Sequence, residues 1–176
     1  MQRAIKYLAY ALLTAVIFTS CGDNVSLQRY YVDNQESKNF ISQDLPLSLI
    51  ELDKSNFTEA QKEAYNSVNK LNFLGYKVNE TDTETYLAEL AKVKTILSDS
   101  KYNGLMEFSD KGNKISVKYI GTDEEADEVI VFGSAKDMGF GIVRILGDDM
   151  NPDKMVTLIS AFQNANIEEG QIENIM

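Results

Sequence analysis

Side chains that usually carry catalysis are scarce in this chain. It has no histidine and a single cysteine, Cys21. The commonest general base and metal ligand is therefore absent, and a Ser-His-Asp mechanism is excluded. Ser-Lys or paired-carboxylate chemistry is open in principle, but no spacing singles out a pair, and we expect no enzyme. The one thiol lies in "VIFTSCGDN", Val16 to Asn24, between an apolar run and a polar one. "MQRAIK" supplies two positive charges, Tyr7 to Phe18 supplies twelve uncharged residues, and small residues precede the cysteine. Basic, apolar and small-residue regions in that order form a secretory signal.

The end of that signal, Phe18-Thr19-Ser20-Cys21, resembles a bacterial lipobox, in which Leu, a small residue, and Gly or Ala precede the cysteine. Phe18 and Ser20 depart from the usual letters. The resemblance implies cleavage between Ser20 and Cys21, and acyl chains on Cys21 as the membrane contact. Several chains make an anchor where one would be reversible. The other readings are ordinary secretion and an uncleaved signal anchor. Asp23, third from the new amine rather than second, points to the outer membrane by analogy with lipoprotein sorting signals.

Other constellations have simpler readings. Asp149, Asn151 and Asp153 alternate like the start of a calcium loop, but its glycine and glutamate places hold Lys154 and Ser160. Asn151 as helix cap, followed by Pro152, accounts for them better. Thr122 to Glu128, "TDEEADE", reads as a solvated loop or short helical start. "GSAKDMGFG" lacks the Gly-Lys-Ser/Thr ending of a phosphate loop, and its glycines suit a turn. We expect no metal and no cofactor.

The elements that would position these residues follow from periodicity. Residues 1–20 read as signal, 21–37 as a polar tether, 38–166 as one domain and 167–176 as a frayed tail. Asn39 to Asp44 is a strand candidate. In "DLPLSLIEL" a helix capped by Asp44, with Pro46 in its first turn, is preferred over a strand. Thr58 with Gln61, and Thr81 with Glu84, form capping boxes that open two helices. Leu71 to Val78 reads as a strand. Leu105 to Ser109 and Lys114 to Ile120 form a hairpin, in which Ile115, Val117 and Tyr119 alternate with Lys114, Ser116 and Lys118. "EVIVFGS" and "GFGIVRILG" give two further strands, and the stretch from Asn151 to Ala165 a closing helix. The pattern predicts an α+β fold: a largely antiparallel sheet with a C-terminal four-strand meander and helices on one face.

Formal net charge is -10, and -12 for a chain beginning at Cys21, since Arg3 and Lys6 are the only charges before it. So acidic a surface repels phosphate backbones, so no nucleic acid partner is expected. "NFISQDLPLSLIEL", "FTEAQKEAYNSVNKLNFLGYK" and "YLAELAKVKTILSDSKYNGLMEFSDKGNKISVKYIG" together resemble a Bacteroidetes family of small lipoproteins, catalogued as domain of unknown function number 4252. The resemblance implies an envelope lipoprotein and carries no catalytic residues. A protein partner in the cell envelope, met by a tethered domain, is the expected role. A small-molecule or glycan-binding module is the alternative.

Overall fold

The computed structural model describes residues 25–47, 54–78, 82–110, 113–135 and 138–164. Ten elements follow in order: α1 (Leu27–Asn34), β1 (Phe40–Pro46), α2 (Glu59–Ser67), β2 (Val68–Lys77), α3 (Thr83–Leu97), β3 (Asn103–Asp110), β4 (Asn113–Gly121), β5 (Ala126–Ala135), β6 (Gly139–Met150) and α4 (Pro152–Asn164). The strands form one antiparallel sheet in the order β1-β2-β6-β5-β4-β3. The α+β class, the antiparallel pairing and the meander from β3 to β6 are as the pattern predicts.

The helices do not share one face, which corrects that expectation. Val129 and Ile130 are neighbours in β5, are both fully buried, and belong to separate clusters. Successive strand side chains point to opposite faces, so both faces are covered. One cluster joins α1 and α3 to Leu74, Tyr76, Ile130, Phe132, Phe140 and Ile142. The other joins α2 and α4 to Val117, Tyr119, Val129 and Ile145. The apolar run Val129 to Phe132 of β5, and that from Ile142 to Leu146 of β6 with only Arg144 inside it, are what a strand buried on both sides requires. In the first layer Tyr76 stacks on Phe140 at 5.6 Å, and Phe40 meets Tyr76 edge-on at 5.1 Å.

Local sequence explains the boundaries. Thr58 and Gln61 complete the expected capping box, each side chain taking the other residue's backbone N–H. Ala60, Ala64, Val68 and Leu71 recur at helical spacing in the sequence, but α2 ends at Ser67, because Val68 is already extended and starts β2 without a linker. Tyr86, Leu90, Val93 and Leu97 recur likewise and form the stripe of α3, with Tyr86, Val93 and Leu97 buried and Leu90 packed against them. Its expected cap Thr81 lies outside the described residues, and Asp82 occupies the cap position. Asp44 and Pro46 lie in β1, opposite Asn72 and Lys70, and not in a helix. Pro46 is tolerated because β1 is an edge strand, where a missing N–H leaves no ladder bond unmade.

Candidate functional site

Ser20 and Cys21, the expected cleavage and lipidation residues, lie outside the described residues, as do the signal segment and residues 167–176 of the expected tail. The tether is corrected from Leu27 onward. Ser26 accepts from the Arg29 N–H at 3.1 Å and caps α1. Leu27, Tyr30 and Tyr31, at helical spacings of three and four, bury one face. Burying such side chains contributes on the order of 1.5–3 kcal/mol each. The polar letters between them conceal this stripe when composition alone is read.

Two phenol hydroxyls lock α1 down. Tyr30 donates to Glu89 of α3 at 2.8 Å. Tyr31 reaches through the layer, its hydroxyl 2.9 Å from the Asn72 carbonyl and 2.7 Å from that of Ile142. Burial holds both phenols far above the ordinary tyrosine range, with the Glu89 bond adding to the effect at Tyr30.

Beneath Tyr31 lies a polar belt that the sequence reading missed. Arg144 grips Glu128 with two bonds, Nε to Oε1 at 2.6 Å and Nη2 to Oε2 at 2.8 Å. Its guanidinium carbon sits 5.2 Å from the Tyr31 ring centre. Their side chains are 12% and 11% exposed, so water hardly competes for the pair. The hydrogen bond to Glu128 is the main force raising the Arg144 pKa further. Alongside, Asn72 donates to Asp44. Glu128, which ends the run read as solvated and opens the strand read as "EVIVFGS", is buried in β5.

The remaining motifs fall where their simpler readings put them. Asn151 accepts from the Lys154 N–H at 3.0 Å and caps α4, with Pro152 as its first residue. Thr122 and Glu125 close the β4–β5 turn through an N–H to carbonyl bond of 2.8 Å. Gly139 turns into β6 with φ +122, and an added Cβ would lie 1.9 Å from the Tyr76 carbonyl oxygen. Among the described residues no three of His, Cys, Asp and Glu are grouped to hold a metal, and no helix is long and apolar enough to cross a membrane.

Two open grooves flank α3. One, of about 410 Å³, runs between α1 and α3 past Val25, Tyr30, Ala91 and Tyr102. The other, of about 570 Å³, lies between the C-terminal half of α3 and the β3–β4–β5 part of the sheet. Here the wet face expected for Lys114, Ser116 and Lys118 becomes a groove wall. Lys94, Leu97 and Ser98 form the facing wall, and Phe132 and Ser134 line it from β5.

The chain is thus a small α+β module whose antiparallel sheet is sandwiched between helices and flanked by a lysine- and serine-lined groove. The family model described as Domain of unknown function (DUF4252) matches residues 30–158, and the chain belongs to that family. The match begins at Tyr30, so it takes in the two tyrosines that pin α1 to the rest of the domain. No curated protein and no solved structure matches the chain.

Proposed function

We propose that this protein is a lipid-anchored module of the cell envelope that binds a protein partner and is not an enzyme. The anchor rests on the signal pattern ending at Cys21. The absence of histidine, and the commitment of the only thiol to acylation, support binding over catalysis. The observation that carries the reading furthest is the start of α1. Only five residues separate Cys21 from Leu27, and they span roughly 20 Å at most when fully extended. The domain is held close against the bilayer rather than set free on a long tether.

Intact mass spectrometry of the wild type and Cys21→Ala tests the anchor. Acyl mass on the wild type alone is expected, and an unmodified wild type refutes it. A pull-down from native envelopes, compared with residues 1–26 fused to a carrier, tests the partner. Recovery of nothing beyond the fusion's own background counts against it. The alternative reading, a module for small molecules or glycans, is favoured by one observation: a groove of small-ligand size opens beside β4.

A further inference from the structure

We infer that the groove between α3 and the β3–β4 hairpin binds a sugar-sized ligand carrying oxyanions, its phosphate or carboxylate groups held by Lys94, Lys114 and Lys118. The inference rests on the small-molecule reading and names its ligand class. The chain is strongly acidic, yet this groove gathers three lysines against one carboxylate, Glu107. No described residue forms an ion pair with any of the three. Lys118 makes only a long bond, 3.4 Å, to the Tyr102 carbonyl.

The sheet fixes their arrangement. Lys114 pairs with Ser134, Ser116 with Phe132, and Lys118 with Ile130. Residues two apart share a face, so Lys114, Ser116 and Lys118 all point into the groove, the lysines about 13 Å apart along the strand. With the Ser116 and Ser134 hydroxyls between and beside them, the lysines on their flexible stems form a wall suited to a ligand with two charged groups and a hydroxylated body. Phe132, buried at 6% exposure, gives that body an apolar surface to rest on. The volume, about 570 Å³, lies in the range of small-ligand sites. Ser98 contributes little, because its hydroxyl already donates to the Thr95 carbonyl at 2.7 Å. The C-terminal end of α3 carries the negative end of the helix dipole and disfavours anions, so the charged groups seat against β4, with Lys94 closing over them.

The test is isothermal titration of the full chain in mild detergent with four probes. Sodium pyrophosphate and trigalacturonate carry phosphate and sugar carboxylate. Glycerophosphoglycerol stands for a lipid headgroup, and maltotriose is the uncharged control. Saturable binding of at least one anionic probe is expected, weakened about tenfold or more in Lys114→Gln/Lys118→Gln and by raised salt. Lys94→Glu should weaken it too, while Lys62→Gln, at an ion pair elsewhere, should not. Thermal melts of each variant confirm that it is folded, as the exposed Lys94 and Lys114 allow. Tight binding of glycerophosphoglycerol alone identifies the headgroup as source, and of pyrophosphate or trigalacturonate a soluble ligand. Binding of maltotriose alone overturns the oxyanion assignment and leaves the small-molecule reading standing. Silence from all four probes, or anionic binding that survives the double substitution, overturns the inference.

Discussion

The sharpest test of the architecture is the Arg144–Glu128 pair beneath Tyr31. Glu128→Gln removes one charge and leaves the guanidinium under the Tyr31 ring without its carboxylate. Breaking a buried pair from one side costs roughly 3–5 kcal/mol, because the stranded charge keeps its desolvation penalty. With about a tenth of each side chain still exposed, the lower end applies, about 3 kcal/mol. Arg144→Met should cost about as much, since it strands Glu128 and removes the cation facing Tyr31. The double substitution Glu128→Leu/Arg144→Met strands nothing and fills the same volume with carbon. It should fall within about 1 kcal/mol of the wild type, as apolar replacement of buried pairs often does. The two losses are therefore strongly non-additive, which a double-mutant cycle measures directly. Urea unfolding followed by circular dichroism gives the midpoints, provided the slopes stay constant. Additive losses, or a loss below about 1 kcal/mol for Glu128→Gln, would show that water already solvates the pair and that α1 does not seal this face.

Three further outcomes follow from the packing. Gly147→Ala would place a Cβ 1.9 Å from the Ser67 carbonyl oxygen, where α2 runs straight into β2; urea unfolding should show a loss of about 3 kcal/mol, the upper end of overpacking. Gly104→Ala, with nothing within 4 Å of its Cβ, should change stability by no more than about 0.5 kcal/mol, and equal losses at both sites would refute the argument. At high pH the fold should fail through its phenols. Tyr30, Tyr31, Tyr76 and Tyr86 are raised chiefly by burial, Tyr76 to about 12. Tyr119 is raised chiefly by its bond to Asp123. A raised pKa favours the neutral form in the folded state, so this stability is complete below the unfolded value of about 10 and is lost as pH rises above it. Each well-buried phenol of α1 then removes about 1.4 kcal/mol per pH unit, so tyrosinate absorbance should rise together with loss of circular dichroism. Smooth ionisation of every tyrosine near pH 10 in a still-folded protein would contradict the burial.

What the sequence made legible was local. The Thr58–Gln61 box, the α3 stripe, the Asn151-Pro152 start and the alternation of β4 each depend on neighbours within a few residues, and each appears as read. What escaped was settled by distant partners. Asp44 and Pro46 looked like a helix start until β2 lay alongside and drew them into a strand. Leu27, Tyr30 and Tyr31 form a stripe too short to stand out among polar letters, and only the apolar side chains of α3, β2 and β6 give it something to cover. Arg144 inside the apolar run "IVRIL" was the available signal of a buried partner. Alternation along "EVIVFGS" puts Glu128 on the same face as Ile130 and Phe132, and Ile130 pairs with Arg144. The lysine groove was visible as a wet strand face, but not as a groove, because the end of α3 that forms its facing wall is placed by the packing of the layer.

The two faces of the sheet divide the molecule's work unequally. Over α2 and α4 the buried cluster is apolar apart from phenol groups, and its helices dock on each other, with Gln61 donating to the Thr157 carbonyl at 3.2 Å and Lys154 reaching Glu63. The opposite face holds the buried ion pair, the Asn72–Asp44 bond and both grooves. That face also carries α1, the element nearest Cys21 in the chain. Anchoring through Cys21 would therefore bring the α1–α3 face, with Val25 half exposed at its edge, closer to the bilayer than the α2–α4 face. A ligand of the lysine groove would then be met at the membrane-proximal side of the domain. Lengthening residues 22–26 with a flexible insert should relax that geometry without touching the fold, and thermal melts with membrane-bound ligand capture would separate the two effects. Unchanged capture at every leash length would mean that the groove works independently of the anchor.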